Sequence, residues 1–364
     1  MRKIFIVITV CLLILAPISI SQAKEASGEP RLIGFYKDSI DDYYKEASTV
    51  FTYLAGENGW DVLEKTVQGS PDEQIRAIDD FITLGVDALV VIQSSHTVSV
   101  ECLRKANDAG IPYFALTHMP KVLAGQELAG YSGYDFEQTG HLAALDAIEN
   151  GVTNIVLIEG KQGQRSESQM SGGFVKAYAD SGLDVGDLLN ADGSYNISGS
   201  GGEGLKIVYR GSGNWLASSA QSSMTDALNN LGKDGFDGVF VHNDGMMDGV
   251  LLAFEEYGLD TDEYWLASTN GASRAASWLD DGIISFEVSH SPSLEADLLF
   301  QIIDSYFAGT LEKPYVYAVQ SAMEAASSDL IPFEASAYLS NRDQYSYSLN
   351  DAAVTSIDPA IFME

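Results

Sequence analysis

The sequence predicts an α/β protein made of two similar lobes, each built on a parallel sheet, with a ligand cleft between them. Its 364 residues are too many for one ordinary hydrophobic core. Short apolar runs of strand length alternate with segments whose apolar residues recur at helical spacing. This alternation runs through the chain twice, and strands that are joined by helical crossovers pair in parallel.

The first series of elements lies before residue 131. The run 85–92 is apolar throughout, as a strand that is covered on both faces requires. The helix before it has a clear start, because Ser70 can cap it, Pro71 fits its first position and Glu73 completes a capping box. The strands predicted in this series are 32–36, 61–63, 85–92 and 110–116.

The second series begins near Tyr131, and its clearest unit is 236–258. Residues 239–241 form a short apolar strand, 242–245 are turn formers, and the amphipathic helix that follows ends at Gly258. Polar side chains therefore lie at the carboxyl end of this strand, where open α/β sheets bind ligands. The other elements predicted here are strands 154–158, 205–209, 264–268, 283–288 and 315–319, and helices 141–150, 171–181, 216–231 and 294–307.

The charge balance limits the partners of the protein. The chain has 52 acidic and 20 basic residues, which gives a net charge of −32. Such a surface repels phosphate groups. We therefore expect neither nucleic-acid binding nor association with an anionic membrane.

Residues 1–23 have the pattern of a secretory signal. Basic residues precede the apolar run 4–20, and the small residues that follow form a cleavage site near Ala23. A membrane anchor is the alternative, but the apolar run contains a proline and ends in small polar residues. The mature chain keeps one cysteine, Cys102, so it can form no internal disulfide, and we expect Cys102 to have a core role in a helix.

The sequence predicts no catalytic residue, no metal site and no cofactor. Gly199, Gly201 and Gly204 match the spacing of a dinucleotide-binding loop. That loop needs a strand before it and a helix after it, whereas here a polar stretch precedes the glycines and a strand follows them. We expect a surface loop at this point. The five histidines show no metal-ligand spacing.

Polar and aromatic side chains follow most of the predicted strands. Because the carboxyl ends of parallel strands meet at one edge of a sheet, we expect these side chains to line the cleft. Aromatic rings can cover the C–H faces of a sugar, while Asp and Asn bind its hydroxyl groups. Taken singly, each of these residues could instead serve only to form a turn, and Trp215 and Tyr43 could instead pack in the core. The candidate ligand-binding residues are Asp41, Tyr43, Tyr44, Thr117, His118, Trp215, Asn243, Asp244, Asn270 and His290.

The order of these motifs resembles the type I periplasmic binding proteins, the ribose- and galactose-binding group that shares its fold with LacI-type regulators. The likeness covers about residues 31–319 and is specific for the superfamily, not for a ligand. It rests on Gly85-Val-Asp-Ala-Leu, Gly110-Ile-Pro, Tyr134-Asp135 with Gly140, Ser171-Gly-Gly-Phe174, Phe236-Asp-Gly-Val-Phe with Asn243-Asp244, and Gly282-Ile-Ile.

This resemblance implies two Rossmann-like lobes joined by a three-strand hinge. It places 27–133 plus 291–318 in the N-terminal lobe, and 134–290 plus 319–364 in the C-terminal lobe. Closure of the two lobes would trap the ligand and change the outer surface that a membrane partner reads.

The binding positions of the family fall on residues of this chain, with several departures. The aromatic pair falls on Tyr43 and Tyr44, the stacking aromatic on Trp215, and the asparagine on Asn243. Asp41 stands where the family usually has Asn, and Asn270 stands where it usually has Asp. Thr117, followed by His118, replaces another Asp, and His290 replaces a Gln. Gln169 and Met170 lie where Arg is usual, and Arg165 is the candidate substitute for that Arg.

The resemblance implies a periplasmic, monomeric solute-binding protein without enzyme activity, which captures a small polar, carbohydrate-like ligand for an ABC importer. One alternative is a sensory receptor for a membrane kinase, because 41–44 and the C-terminal tail faintly resemble the autoinducer-2 receptor branch. Another is a sugar hydrolase that uses Asp41 and Asp244 as its paired acids. The acidity, the signal segment and the lack of an N-terminal helix-turn-helix motif exclude a DNA-binding regulator.

Overall fold

The computed structural model describes residues 30–67, 70–323 and 330–363, so the predicted signal segment 1–23 lies outside the described residues. Two sheets form the centres of two lobes. The first sheet contains seven strands in the order β13-β11-β5-β4-β3-β1-β2, and the second contains six in the order β12-β10-β9-β8-β6-β7. All neighbours pair in parallel except β13 and β12, which are antiparallel at one edge of each sheet. The predicted fold of two lobes with parallel sheets is confirmed.

The first lobe begins with alternating strands and helices, as the sequence predicts. Alternate residues of the third strand belong to different hydrophobic clusters, so helices cover both faces of this sheet. The elements are β1 Leu32–Lys37, α1 Asp42–Glu57, β2 Asp61–Thr66, α2 Pro71–Leu84, β3 Ala88–Ile92, α3 Val98–Asp108, β4 Tyr113–Leu116 and β5 Gly130–Gly133.

The second lobe repeats the pattern. Its elements are α4 Phe136–Glu149, β6 Asn154–Glu159, α5 Arg165–Asp180, β7 Lys206–Ser212, α6 Ala217–Leu231, β8 Gly238–Val241, α7 Asp244–Tyr257, β9 Trp265–Asn270, α8 Ser273–Asp280 and β10 Phe286–Ser289. The chain then continues through α9 Pro292–Ala308, β11 Tyr315–Tyr317, β12 Ser321–Met323, α10 Ala335–Ser340, α11 Arg342–Tyr345 and β13 Thr355–Ser356. Short 3-10 turns occupy 186–188, 261–263 and 359–363.

Local signals in the sequence fix the helix ends. The Ser70 hydroxyl accepts a hydrogen bond from the Glu73 amide at the start of α2, and Gly85 ends that helix in a left-handed conformation with φ 72°. The predicted strand 85–92 is therefore shorter than expected, because its first residues form the helix cap and turn, and the strand itself begins at Ala88. The sequence did not predict β5, β12 or β13.

The chain passes between the lobes after β5, after β10 and after β11, as the predicted hinge of three connections requires, and it returns to the first sheet once more between β12 and β13. His290 lies at the second of these passages. Its ring stacks on Tyr134 with centroids 4.6 Å apart, and the Tyr134 hydroxyl donates to the Ser291 carbonyl at 2.8 Å. These contacts tie two of the passages together.

The C-terminal segment requires a correction. The sequence analysis assigned 319–364 to the C-terminal lobe, but there only β12 joins the second sheet, while β13 pairs with β11 of the first. Residues 330–363 lie mainly on the first lobe because they have buried anchors there. Arg342 donates two hydrogen bonds of 2.7 Å to the Asp297 carboxylate, and Phe362 packs edge-on against Tyr131.

Cys102 is fully buried between α3 and its neighbours, which confirms the predicted core role. Burial raises the pKa of its thiol to about 12, so this thiol is not a nucleophile at neutral pH. Within the part of the chain that the structure describes, no helix combines the length and the apolar character that crossing a membrane requires.

Candidate ligand-binding cleft

The cleft between the lobes, at the carboxyl ends of the strands, encloses a cavity of about 30 Å³. This cavity has room for water but not for a sugar, so a ligand of that size can enter only if the lobes move apart. Side chains of both lobes contribute to it. The lining residues are Asp41, Tyr43, Tyr44, Thr117, His118, Phe136, Ser166, Met170, Trp215, His242, Asn243 and Asn270.

Asp41 supplies a carboxylate to the first-lobe wall. It precedes α1 as its N-cap, and its Oδ1 accepts a hydrogen bond of 2.9 Å from the Tyr44 amide. Its Oδ2 is buried and accepts no hydrogen bond from the described protein. Burial raises the pKa of this carboxyl to about 6, so Asp41 is mostly ionised at neutral pH. An ionised oxygen without a donor is what a ligand hydroxyl would satisfy.

His118 connects the two walls of the cleft. Its Nε2 hydrogen-bonds the Tyr44 hydroxyl in the same lobe, and its Nδ1 lies 2.9 Å from the Ser166 hydroxyl of the opposite lobe. Its ring is stacked on Trp215 with centroids 6.2 Å apart. Burial lowers the pKa of His118 to about 3, so the imidazole is neutral at physiological pH.

Trp215 is held in place by its backbone and by its neighbours. Its Nε1 donates to Gln164 Oε1, and its ring packs on Gly160, where an added Cβ would overlap the indole. Gly160 thus makes room for the aromatic face. Trp215 is 8% exposed, so the ring closes one side of the cleft and also belongs to the hydrophobic cluster behind it.

The cleft contains strained backbone. Among the described residues, those other than glycine with a left-handed φ are Thr117, Asn214, Trp215 and Asn270, at 63°, 51°, 63° and 117°. Thr117, Trp215 and Asn270 line the cleft, and Asn214 adjoins it in sequence. Each such conformation costs on the order of 1–3 kcal/mol and survives only where surrounding contacts impose it. Their concentration here makes the cleft a candidate functional site.

The structure brings most of the candidate residues together, but three lie outside the cleft lining. Arg165 donates to the Ile361 carbonyl, and Asp244 is buried behind the wall, where it accepts from the Ser268 hydroxyl and the Ala272 amide. His290 lies at the hinge. The others, Asp41, Tyr43, Tyr44, Thr117, His118, Trp215, Asn243 and Asn270, line the cleft, and their role in binding stays a prediction.

The sequence analysis left four lining residues out of its candidates: Phe136, Ser166, Met170 and His242, although the resemblance had already marked Met170 as a position where the family has Arg. His242 directly follows β8 and was treated only as a turn former, although its position was the available signal. Its Nδ1 accepts from the Gly160 amide at 3.2 Å, and burial lowers its pKa to about 3. Phe136, Ser166 and Met170 lie on helices α4 and α5, so no strand end pointed to them.

The hydrolase alternative required two acids that face the same bond. Asp244 does not line the cleft, and both of its carboxylate oxygens accept hydrogen bonds within the wall. Among the described residues that line the cleft, Asp41 alone supplies a carboxylate. The paired-acid geometry of a glycosidase is therefore not formed by these two residues.

The charges around the cleft favour an uncharged ligand. Among the lining residues that the structure describes, none is Lys or Arg. Two cations of the second lobe pair with first-lobe carboxylates near the mouth instead: Lys161 with Asp38 at 2.7 Å, and Arg274 with Asp42 at 3.5 Å. Both pairs bridge the lobes, but only the Lys161–Asp38 pair is largely buried, because the Asp42 side chain is 60% exposed and an exposed ion pair contributes little.

Comparisons with known proteins agree with this architecture. The chain is 24% identical over 334 residues to the galactofuranose-binding protein YtfQ of Escherichia coli (strain K12), covering 86% of this chain and 96% of that one. It shares its fold with the periplasmic component of the arabinose ABC transporter from Shewanella sp. ANA-3, bound to α- and β-L-arabinofuranose (TM-score 0.69, 21% identity, 86% and 96% covered). A Mycobacterium smegmatis protein in complex with β-D-fucofuranose is similar as well (TM-score 0.70, 22% identity, 86% and 95% covered).

A family match covers most of the chain. Residues 34–311 match the family described as periplasmic binding protein domain, and this stretch contains all the lining residues of the cleft. The chain therefore belongs to the periplasmic binding protein family.

Proposed function

We propose that this protein captures a small, uncharged carbohydrate in the cleft between its lobes. The observation that carries the proposal is the combination of aromatic rings with buried polar groups that face the same space. Trp215, Tyr44 and His118 present rings, while Asn243, Asn270 and the free Oδ2 of Asp41 present hydrogen-bonding atoms. A sugar satisfies both requirements, because it has apolar C–H faces and a rim of hydroxyl donors.

The lack of a basic side chain in the lining narrows the ligand class. A phosphorylated sugar or a sugar acid would place an anion beside the Asp41 carboxylate in a buried site, which costs several kcal/mol without a compensating cation. A neutral sugar can instead donate a hydroxyl hydrogen bond to Asp41 Oδ2. The carboxylate therefore selects against anionic ligands.

A furanose ring is the sugar form we propose. Similar proteins are named or solved as binders of galactofuranose, arabinofuranose and fucofuranose. These identities are low, so the inference carries over a ligand class and no individual sugar.

We further propose that the protein acts in the periplasm as a monomer without enzyme activity and delivers its ligand to an ABC importer. The similar Shewanella protein is the binding component of such a transporter, and this supports an importer as the membrane partner. Closure of the lobes over the ligand would give the importer a surface that differs from the open form.

Thermal-shift screening of residues 24–364 tests the proposal. The panel is L-arabinose, D-galactose, D-fucose and D-xylose, with galactose 1-phosphate and galacturonic acid as anionic counterparts. A ligand at a hundred times its dissociation constant adds about 2.7 kcal/mol of stability, which raises the melting temperature. We expect a rise with a neutral sugar and none with its anionic counterpart.

Two results would contradict the proposal. An anionic sugar that stabilises the protein more than the neutral one would refute the charge argument. Stabilisation by none of the panel would refute the carbohydrate argument. Trp215→Ala is the control variant, because a shift that survives loss of this ring arises outside the cleft.

A further inference from the structure

Behind the second-lobe wall, two acidic side chains are buried side by side. Asp244 at the start of α7 and Glu287 on β10 both contact the Ser268 hydroxyl, which lies 3.2 Å from Asp244 Oδ1 and also hydrogen-bonds Glu287 Oε2. A hydroxyl has one proton and can donate it to one of two carboxylates. The other carboxyl can bond the same oxygen only if it carries a proton itself. The geometry therefore fits a pair that shares one proton.

The pair holds the turn that carries Asn270 into the cleft. The Gly271 amide donates to Glu287 Oε1 at 2.9 Å, and the Ala272 amide donates to Asp244 Oδ2 at 2.8 Å. Asn270 and Gly271 are both left-handed, with φ of 117° and 78°. For Asn270, this is a conformation that surrounding contacts must impose. The two carboxyl groups supply such contacts on the side of the turn away from the cleft.

We propose that the Asp244–Glu287 pair positions Asn270 for ligand binding, and that loss of its shared proton at alkaline pH loosens the turn and weakens binding. This inference rests on the proposed function of the cleft and assigns Asp244 a positioning role in place of ligand contact. Asp244 also follows Asn243 directly, so the pair adjoins both asparagines of this wall.

The charges around the pair agree with one shared proton. Burial and the neighbouring Asp244 carboxylate raise the pKa of Glu287 well above its ordinary value. Burial raises the pKa of Asp244 to about 6, while Arg274 lowers it. Arg274 pairs with Asp248 at 3.1 Å, and no ion pair joins it to either carboxyl among the described residues. Four other ionisable groups on the surrounding elements, His242, His290, Asp146 and Glu334, each hydrogen-bond elsewhere.

The direction of the pH effect follows from the raised pKa of Glu287. Such a carboxyl binds its proton more tightly in the folded turn than in an opened one, so raising the pH through the folded value destabilises the turn. Two adjacent buried carboxylates then repel each other. The acceptors of the Gly271 and Ala272 amides would separate, and Asn270 would lose its fixed orientation.

Hydrogen exchange of the ligand-free protein tests whether the Asp244–Glu287 pair holds the turn at Asn270. Exchange over 268–275 is compared between wild type, Glu287→Ala and Glu287→Gln at about pH 7 and about pH 9. Glutamine keeps an acceptor for Gly271 and a donor for Asp244 but cannot lose a proton. We expect Glu287→Ala to lower protection about tenfold, Glu287→Gln to restore it, and wild type to lose protection at the higher pH relative to Glu287→Gln.

Binding of L-arabinose and D-galactose, measured by calorimetry over the same pH range, links the turn to the site. We expect Glu287→Ala to weaken binding about tenfold, with recovery in Glu287→Gln and no alkaline loss in that variant. Asp237→Asn is the matched control, since Asp237 caps the distant amides of Thr153 and Asn154 and should leave the pH profile unchanged.

The outcomes separate the two proposals. An alkaline loss of protection that is the same in wild type and Glu287→Gln would overturn the inference, as would full protection of the turn in Glu287→Ala. If neither sugar binds the wild type while the exchange results are as expected, the pair does hold the turn, and only the carbohydrate proposal fails. If Glu287→Ala does not fold, the pH profiles of wild type and Glu287→Gln decide the question.

Discussion

Replacing Asp41 by Asn should make the ligand-free protein more stable and at the same time weaken ligand binding. Asn is as good an N-cap as Asp, so the bond to the Tyr44 amide at the start of α1 is kept. What changes is the buried Oδ2, which accepts no hydrogen bond from the described protein. An uncompensated carboxylate becomes a neutral amide.

The stability gain can be worked out from the raised pKa of Asp41. Burial moves this pKa from 3.8 to about 6, so the folded protein binds the proton more tightly than the unfolded chain does. Wild type therefore loses stability as the pH rises from about 4 to about 6, and the loss is complete above that range. The shift corresponds to about 3 kcal/mol, and we expect about 1–3 kcal/mol after allowance for partial solvent contact. Asp41→Asn avoids this loss.

The binding cost has the opposite sign. A hydrogen bond from a ligand hydroxyl to a carboxylate contributes about 1.5–3 kcal/mol, so affinity for the neutral sugar should fall by about ten- to hundredfold. Calorimetry measures this fall, and thermal unfolding at about pH 4 and about pH 7 measures the stability change. Asp135→Asn is the matched control, because Asp135 caps α4 through the Gln138 amide and does not line the cleft.

Unchanged affinity in Asp41→Asn would refute the assignment of Asp41 to the site. A stability difference that is equal at both pH values would refute the argument from the buried charge. Should the Asp135→Asn control gain as much stability as Asp41→Asn at neutral pH, the effect would belong to helix capping and not to the cleft.

Three further substitutions test the walls and the closure of the cleft. Trp215→Ala should raise the dissociation constant at least about a hundredfold in calorimetry and should also lower the melting temperature, because the ring is largely buried, whereas retained binding would make Trp215 a core residue only. Asn243→Ala should cost about 1–3 kcal/mol of affinity, and Asn243→Ser, which restores the cap on the Met246 amide, separates that loss from helix stability when both are measured. Lys161→Met should speed ligand release about three- to tenfold in stopped-flow experiments, because it removes the ion pair with Asp38 across the cleft. The double variant with Asp38→Asn should release the ligand more slowly than Lys161→Met alone.

The fold was predictable because its main signals are local. The capping residues of α2, the apolar run of β3 and the turn after β8 each indicate an element within a few residues of sequence. Strands β12 and β13 lack such signals, since they are three and two residues long and exist only because they pair with β10 and β11. The return of 330–363 to the first lobe depends on contacts such as Arg342 with Asp297, which are far apart in sequence and were not predicted.

The candidate site was predictable to the extent that parallel sheets bring strand ends together. Thr117 directly follows β4 and Asn243 lies two residues after β8, so their place at the edge follows from the topology alone. Ser166 reaches the cleft from the first turn of α5, and its bond to His118 forms only when the opposite lobe is in place. His290 also follows a strand, but the chain turns there into the hinge and its ring stacks on Tyr134.

Several cleft residues adopt conformations or charge states that lower the stability of the empty protein. Thr117 is β-branched and strongly disfavours the left-handed φ of 63° that it adopts, and Trp215 adopts the same value. The Asp41 carboxylate adds a buried charge without a full set of donors. Each feature lowers the stability of the empty protein, and each can be offset by a ligand that donates to Asp41 and packs on Trp215. If a cognate sugar stabilises wild type more than it stabilises Asp41→Asn, part of its binding energy is relieving this cost, and the cleft has been arranged for the ligand at the expense of the unliganded fold.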